Sequence, residues 1–151
     1  MHRILFVCHG NICRSPMAEF IMKHLVKLSC KEDQFLIESA ATSTEELGND
    51  MYPPAKAMLR SKGIPFTRRA ARQITAADYD NYDLLIGMDE ENLYYMNRRW
   101  KDDREQKIHP LLEYAGLTRY VSDPWYSGDF DTAYNDIYTG CSALLAFLEQ
   151  S

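Results

Sequence analysis

Long apolar runs are missing from this sequence of 151 residues. None approaches the ~20 residues that a membrane-spanning helix needs. The run Ile4-Leu5-Phe6-Val7 is also too short for the apolar core of a secretion signal, and polar His9, Asn11 and Arg14 follow at once. A cytoplasmic protein with no membrane partner is therefore expected. Positive charge is in deficit: 17 Lys and Arg stand against 22 Asp and Glu, a net charge of −5. That argues against a nucleic-acid partner, whose phosphate backbone needs a basic face. The local basic cluster Arg68, Arg69 and Arg72 reads most simply as a solvated loop. Cysteine is scarce, with Cys8, Cys13, Cys30 and Cys141 and no C-x-x-C pair. With no H-x₃₋₅-H pair either, no zinc site is formed, and no metal is expected. His2, His9, His24 and His109 have no partners at ligand spacing; His24 reads as a surface or boundary residue and His9 as a loop residue near substrate. Repeats and low-complexity segments are absent too, so the length fits one domain, residues 1–151.

What is present alternates between two periods. Arg3 to Cys8 reads as a buried strand, and Ser15-Pro16 as the start of a helix, Ser capping and Pro in the first helical position. Met17, Phe20, Ile21, Leu25 and Leu28 then fall on one helical face. A second strand runs from Phe35 to about Ala40, and a short helix from Pro53 to Gly63. Thr75 with Asp78 suggests a capping box. Leu84-Leu85-Ile86 is a third strand, Asp89 caps the helix after it and could also line a site rim, and Lys107–Leu111 is a weaker fourth strand. Asp123–Asp131 reads as a loop. A last helix buries Tyr134, Ile137, Tyr138, Cys141, Leu144, Leu145 and Leu148, with Cys30 and Cys141 as helix-packing thiols. Strands alternating with helices imply an α/β protein, a parallel sheet covered on both faces. Ligands bind such sheets beyond the carboxyl ends of the strands. The loops after Cys8, Ala40 and Met88 should meet there.

The segment Cys8-His9-Gly10-Asn11-Ile12-Cys13-Arg14-Ser15 joins the first strand to a helix N-terminus. Unpaired amides at such a terminus bind anions. Gly10 and Asn11 tolerate the left-handed conformations that curl a chain around an oxyanion. Arg14 offers a planar fork for two phosphate oxygens. The helix terminus and Arg14 should lower the Cys8 thiol pKa and leave a thiolate, to which Ser15 can donate a hydrogen bond. The spacing C-x₅-R-[ST] arises by composition in on the order of a few per cent of such chains. A buried strand before it and Ser-Pro after it make chance a poor explanation.

On these residues the chain resembles the low-molecular-weight protein tyrosine phosphatases. The stretches that carry the likeness are Val7–Pro16, Ser39-Ala40-Ala41-Thr42-Ser43, Ala71-Arg72-Gln73-Ile74, Met88–Leu93 and Asp123-Pro124-Trp125-Tyr126. The resemblance implies a four-stranded parallel sheet in order 2-1-3-4. It also implies hydrolysis of phosphotyrosine in a protein substrate, with phosphate as product and no cofactor. Cys8 would be the nucleophile, Arg14 the phosphate clamp and Asp123 the general acid and base. His9, Gly10, Asn11, Ile12, Cys13 and Ser15 would surround the phosphate, and Trp125 and Tyr126 would form a substrate wall. Cys13 could in addition pair with an oxidised Cys8 as a redox partner, or merely pack under the loop.

Two positions depart from the family pattern. Arg69 stands where many members carry a His bonded to the loop Asn, so Asn11 is held by Arg69 or by other loop groups. Glu45 stands where an aromatic often forms a wall, leaving that side open and acidic. Three rivals remain. An arsenate reductase would need further cysteines near the third strand, and none lies between Cys30 and Cys141. A phosphoarginine phosphatase would resemble this loop but carry Thr at the Ile12 position. A non-catalytic phosphate-binding module would lack the nucleophile or the acid. The reading without metal predicts full turnover of p-nitrophenyl phosphate in EDTA; loss of activity on chelation, restored by a divalent ion, would overturn it.

Overall fold

The computed structural model describes residues 1–150. Its centre is a four-stranded parallel sheet in the order β2-β1-β3-β4. The strands are β1 (His2–Cys8), β2 (Phe35–Ala41), β3 (Leu84–Gly87) and β4 (Ile108–Pro110). Six α-helices accompany them: α1 (Arg14–Leu28), α2 (Pro53–Ser61), α3 (Asp78–Asn81), α4 (Glu90–Arg99), α5 (Pro124–Ser127) and α6 (Phe130–Glu149). The sheet expected from the family resemblance, 2-1-3-4 with helices on both faces, is the one formed.

Strand β1 explains the layering. Its side chains alternate across the sheet. Ile4, Phe6 and Cys8 join the core under α1 and α6, and Leu5 and Val7 join the opposite core with Leu85, Met96 and Trp100. A strand buried on both faces reads as a continuous apolar run, as Ile4–Val7 does. The chain leaves β1 toward β2 on one side and later returns to β3 on the other, so β1 lies at the point where strand order reverses. In register, Cys8 pairs with Ala41 and Val7 with Gly87. The carboxyl ends of three strands therefore open into one crevice beside Cys8.

Several local expectations change. Helix α1 begins at Arg14, with Cys13 as its N-cap and no side-chain capping bond. Ser15 is a buried first-turn residue, because its hydroxyl is engaged with Cys8. Leu28 is 66% exposed and Tyr138 is also exposed, because α1 and α6 pack on each other through Ala18, Ile21, Cys141 and Leu144 instead. Cys30 is exposed just beyond α1, at φ +57, and is not part of the buried core; Cys141 is buried. Thr75 N–H donates to Asp78 Oδ2, but α3 itself begins only at Asp78. The Asp123–Asp131 loop contains α5, since Pro124 takes its first position and Asp123 accepts from Trp125 N–H.

Helix α6 passes close to the turn after β4. A Cβ on Gly140 would lie 2.5 Å from Leu111 Cγ, inside a core where Leu111 has no exposed surface. Gly140→Ala should therefore cost about 1–3 kcal/mol of stability by overpacking, measured by urea unfolding. An unchanged midpoint would show that Leu111 has room to move.

Candidate active site

The loop from Cys8 to Arg14 is held from inside by one amide. Asn11 is fully buried at φ +60, a left-handed conformation that Asn tolerates better than most residues. Its Nδ2 donates to Ser15 Oγ at 2.8 Å and to Ser39 Oγ at 3.0 Å. Its Oδ1 accepts from Arg69 Nη2 and from Arg72 N–H. Both side-chain groups are thus satisfied, as a buried amide requires. The network continues outward, with Ser39 Oγ donating to Glu19 Oε1 at 2.6 Å. Gly10 is not in the left-handed region. A Cβ there would make only an ordinary 3.4 Å contact with Glu46 Cγ, so neither conformation nor space requires glycine.

The basic cluster is not a solvated loop. Arg69 reaches Asn11 and is tied by its own N–H to Asp50. Burial lowers its pKa. Arg72 forks onto both oxygens of Asp78 at 3.0 and 3.2 Å. Only Arg68 is exposed.

Cys8 Sγ lies 3.0 Å from Ser15 Oγ and accepts from Ser15 N–H at 3.4 Å. Ser15 Oγ accepts from Asn11 Nδ2 and also lies 3.5 Å from the Ala40 carbonyl, to which it can donate. Arg14 has a side chain only 3% exposed. Its Nη1 donates to the Val121 carbonyl at 3.0 Å and sits 2.8 Å from Asp89 Oδ2, while Nη2 lies 3.3 Å from Asp123 Oδ2. Burial opposes its charge, but Cys8, Asp89 and Asp123 outweigh that and raise its pKa. Asp89 is itself fixed by a capping box with Asn92.

These groups line a cavity of about 320 Å³. His9, Gly10, Ile12, Cys13, Trp125 and Tyr126 line it too, so it gathers the sequence-derived candidates except Asn11 and Ser15, which lie beneath it. Trp125 is 50% exposed and rests on Tyr52 at 4.8 Å between ring centroids, whereas Tyr126 is 86% exposed. The rim is acidic, with Glu45, Glu46 and Glu91. His9 Nε2 sits 2.7 Å from Glu45 Oε2, and Nδ1 is 3.6 Å from Glu91 Oε1. Cys8 and Cys13 are both free thiols. Burial, and then the neighbouring Cys8, push the Cys13 thiol up to about 12. Sequence reasoning missed the ion pair of Asp89 with Arg14, and the places of Glu46 and Glu91. The signal for Asp89 was its position at the end of the third strand.

The family description "Low molecular weight phosphotyrosine protein phosphatase" matches residues 3–151. The chain belongs to this family. A low molecular weight protein-tyrosine-phosphatase of Bacillus subtilis, YfkJ, is 36% identical over 99% of this chain and 97% of its own. Its crystal structure superimposes with a TM-score of 0.94 over 99% of this chain and 96% of that one. The human low molecular weight phosphotyrosine protein phosphatase is 37% identical over 94% of this chain and 92% of its own. A Drosophila arginine phosphatase has a TM-score of 0.86 at 31% identity, covering 96% of each chain. Family, fold and the buried cysteine in its loop support a cysteine-based phosphatase activity for this low molecular weight phosphatase.

Asn11→Ala removes four hydrogen-bond partners and places alanine at φ +60. We expect a loss of about 3 kcal/mol in urea unfolding. Competitive inhibition by inorganic phosphate should weaken together with stability. Wild-type values of both would show that the loop holds its shape without the amide.

Proposed function

We propose that this phosphatase removes phosphate from tyrosine in protein substrates through a phosphocysteine on Cys8. The observation that carries the reading is the convergence of Cys8, the buried Arg14 guanidinium and Asp123 on one cavity whose outer surface includes Trp125 and Tyr126. Phosphate sits at the start of α1, where the first-turn amides have no carbonyl beneath them and Arg14 supplies a planar fork. Cys8 Sγ attacks phosphorus; the S–P bond forms as the bond from phosphorus to the tyrosyl oxygen breaks. Asp123 gives its proton to that oxygen, and tyrosine leaves neutral. Water then attacks phosphorus, passing a proton to Asp123. The S–P bond breaks and inorganic phosphate is released. Throughout, Arg14 and the amides are already oriented toward the oxygens whose charge rises in the transition state.

Ile12 and the exposed face of Trp125 suit an aryl group, which supports tyrosine. The acidic rim suits a cation, and the Drosophila relative is named an arginine phosphatase, so phosphoarginine is the second reading. Parallel kinetics on a phosphotyrosine peptide and a phosphoarginine peptide of the same sequence separate the two. We expect the tyrosine ester to be preferred; preference for the arginine peptide would replace the assignment.

Three substitutions test the roles. Cys8→Ser should abolish turnover while vanadate still binds, because the amides and Arg14 hold the anion. Arg14→Lys should lower kcat/KM on the order of a hundredfold, because a point charge replaces a fork. Retained activity in either variant would put the chemistry elsewhere. Asp123→Ala should slow phenyl phosphate far more than p-nitrophenyl phosphate, whose leaving group needs little protonation. For Glu45, peptides with Lys beside the phosphotyrosine should be turned over faster than those with Glu; equal rates would remove the rim from specificity.

A further inference from the structure

The acid is carried on an excursion of the chain, and its two ends meet. The excursion runs from Arg119 to Asp136 and holds Asp123, Trp125 and Tyr126; within it Val121, Ala133 and Tyr134 are anchored in the core and α6 begins at Phe130. Arg119 Nη1 and Nη2 donate to Asp136 Oδ2 and Oδ1, both at 2.9 Å. Asp136 lies on α6 and is buried, next to the core residue Ile137. Its carboxylate therefore fixes the neck of the excursion to a rigid helix. Both oxygens are engaged by one planar fork, a geometry that restricts rotation as well as distance.

The first arm is held at Val121, which is buried, and at Asp123, which lies 3.3 Å from Arg14 Nη2; between Arg119 and Val121 the pair with Asp136 is the anchor. Residues 117–123 form no helix or strand. Val121 N–H donates to the Met88 carbonyl, and the Val121 carbonyl accepts from Arg14. Val121 thus sets the arm's height above the sheet, and the Arg119–Asp136 pair sets its distance from the returning arm. We propose that this pair is a positioning clasp for the general acid: it holds the two arms of the excursion together so that Asp123 meets the leaving oxygen. The proposal rests on the assignment of Asp123 as the acid. Arg119 does not line the cavity, so it acts through Asp123 and not on the substrate. An ordinary exposed ion pair contributes little to stability. This one acts on a distance instead, and misplacing a catalytic group by a fraction of an ångström slows chemistry without unfolding the protein.

The test measures kcat/KM for phenyl phosphate and p-nitrophenyl phosphate with each enzyme. Their ratio does not depend on how much of the protein is folded. Arg119→Ala should slow phenyl phosphate about tenfold and p-nitrophenyl phosphate less than twofold. Arg119→Lys keeps the charge beside Asp136 but gives up the fork, so it should shift the ratio by about threefold; it carries the test if the alanine variant does not fold. In an Asp123→Ala background, Arg119→Lys and Arg119→Ala should leave the ratio unchanged, because the group they position is gone. A ratio equal to wild type in both Arg119 variants overturns the clasp, and so does a shift that persists without Asp123. If Asp123→Ala alone slows both esters equally, the acid assignment falls and takes the clasp with it.

Discussion

A guanidinium buried to within 3% of full enclosure is the constraint around which this molecule is arranged. A buried charge is tolerated only when paired and hydrogen-bonded. Arg14 meets that demand with three groups from two places in the chain: Asp89 after β3, and Val121 and Asp123 in the segment before α5. Each partner fixes a loop that would otherwise be free. The end of β3, the arm that carries Asp123 and the first turn of α1 are thus held in one geometry by one side chain. The same charge is what a phosphate needs, so the group that organises the fold also prepares the site.

Beneath it lies a second network, centred on a neutral amide. Asn11 uses its Nδ2 and Oδ1 to join the loop to Ser15, Ser39, Arg69 and Arg72. The loop therefore takes its shape from side-chain bonds inside it. Such a network stabilises only if all members are satisfied, and here they are. Arg69 brings a permanent charge to this position, compensated by Asp50 and Glu19 among others. The cavity places Arg14 at its base, paired with Asp89 and Asp123, and the carboxylates of Glu45, Glu46 and Glu91 along its rim.

Much of this was legible from residue order. The loop was readable because its parts are adjacent: Cys8, Arg14 and Ser15 lie within one strand-to-helix turn, and Pro16 marks the helix. Asp123 was readable through its Pro and the aromatic residues beside it. By contrast, the role of Arg69 was left open, and Arg72 was read as solvated. Nothing local distinguishes a half-buried arginine from an exposed one. The partners Asn11 and Asp78 are supplied by packing. Leu28 and Tyr138 show the same limit, since both fit a helical period yet lie at the edge of the buried stripe, where neighbours decide.

The sequence by itself determined the strand and helix alternation, the two-faced burial of β1 and the chemistry of the loop. Those depend on side-chain period and on residues a few positions apart. Only the tertiary structure decided that Asp89 would pair with Arg14, that Glu46 and Glu91 would border the cavity, and that Arg119 would close on Asp136. Each of these joins residues from separate elements. Their distances are set by how the sheet twists and the helices pack, and a local pattern carries no record of that.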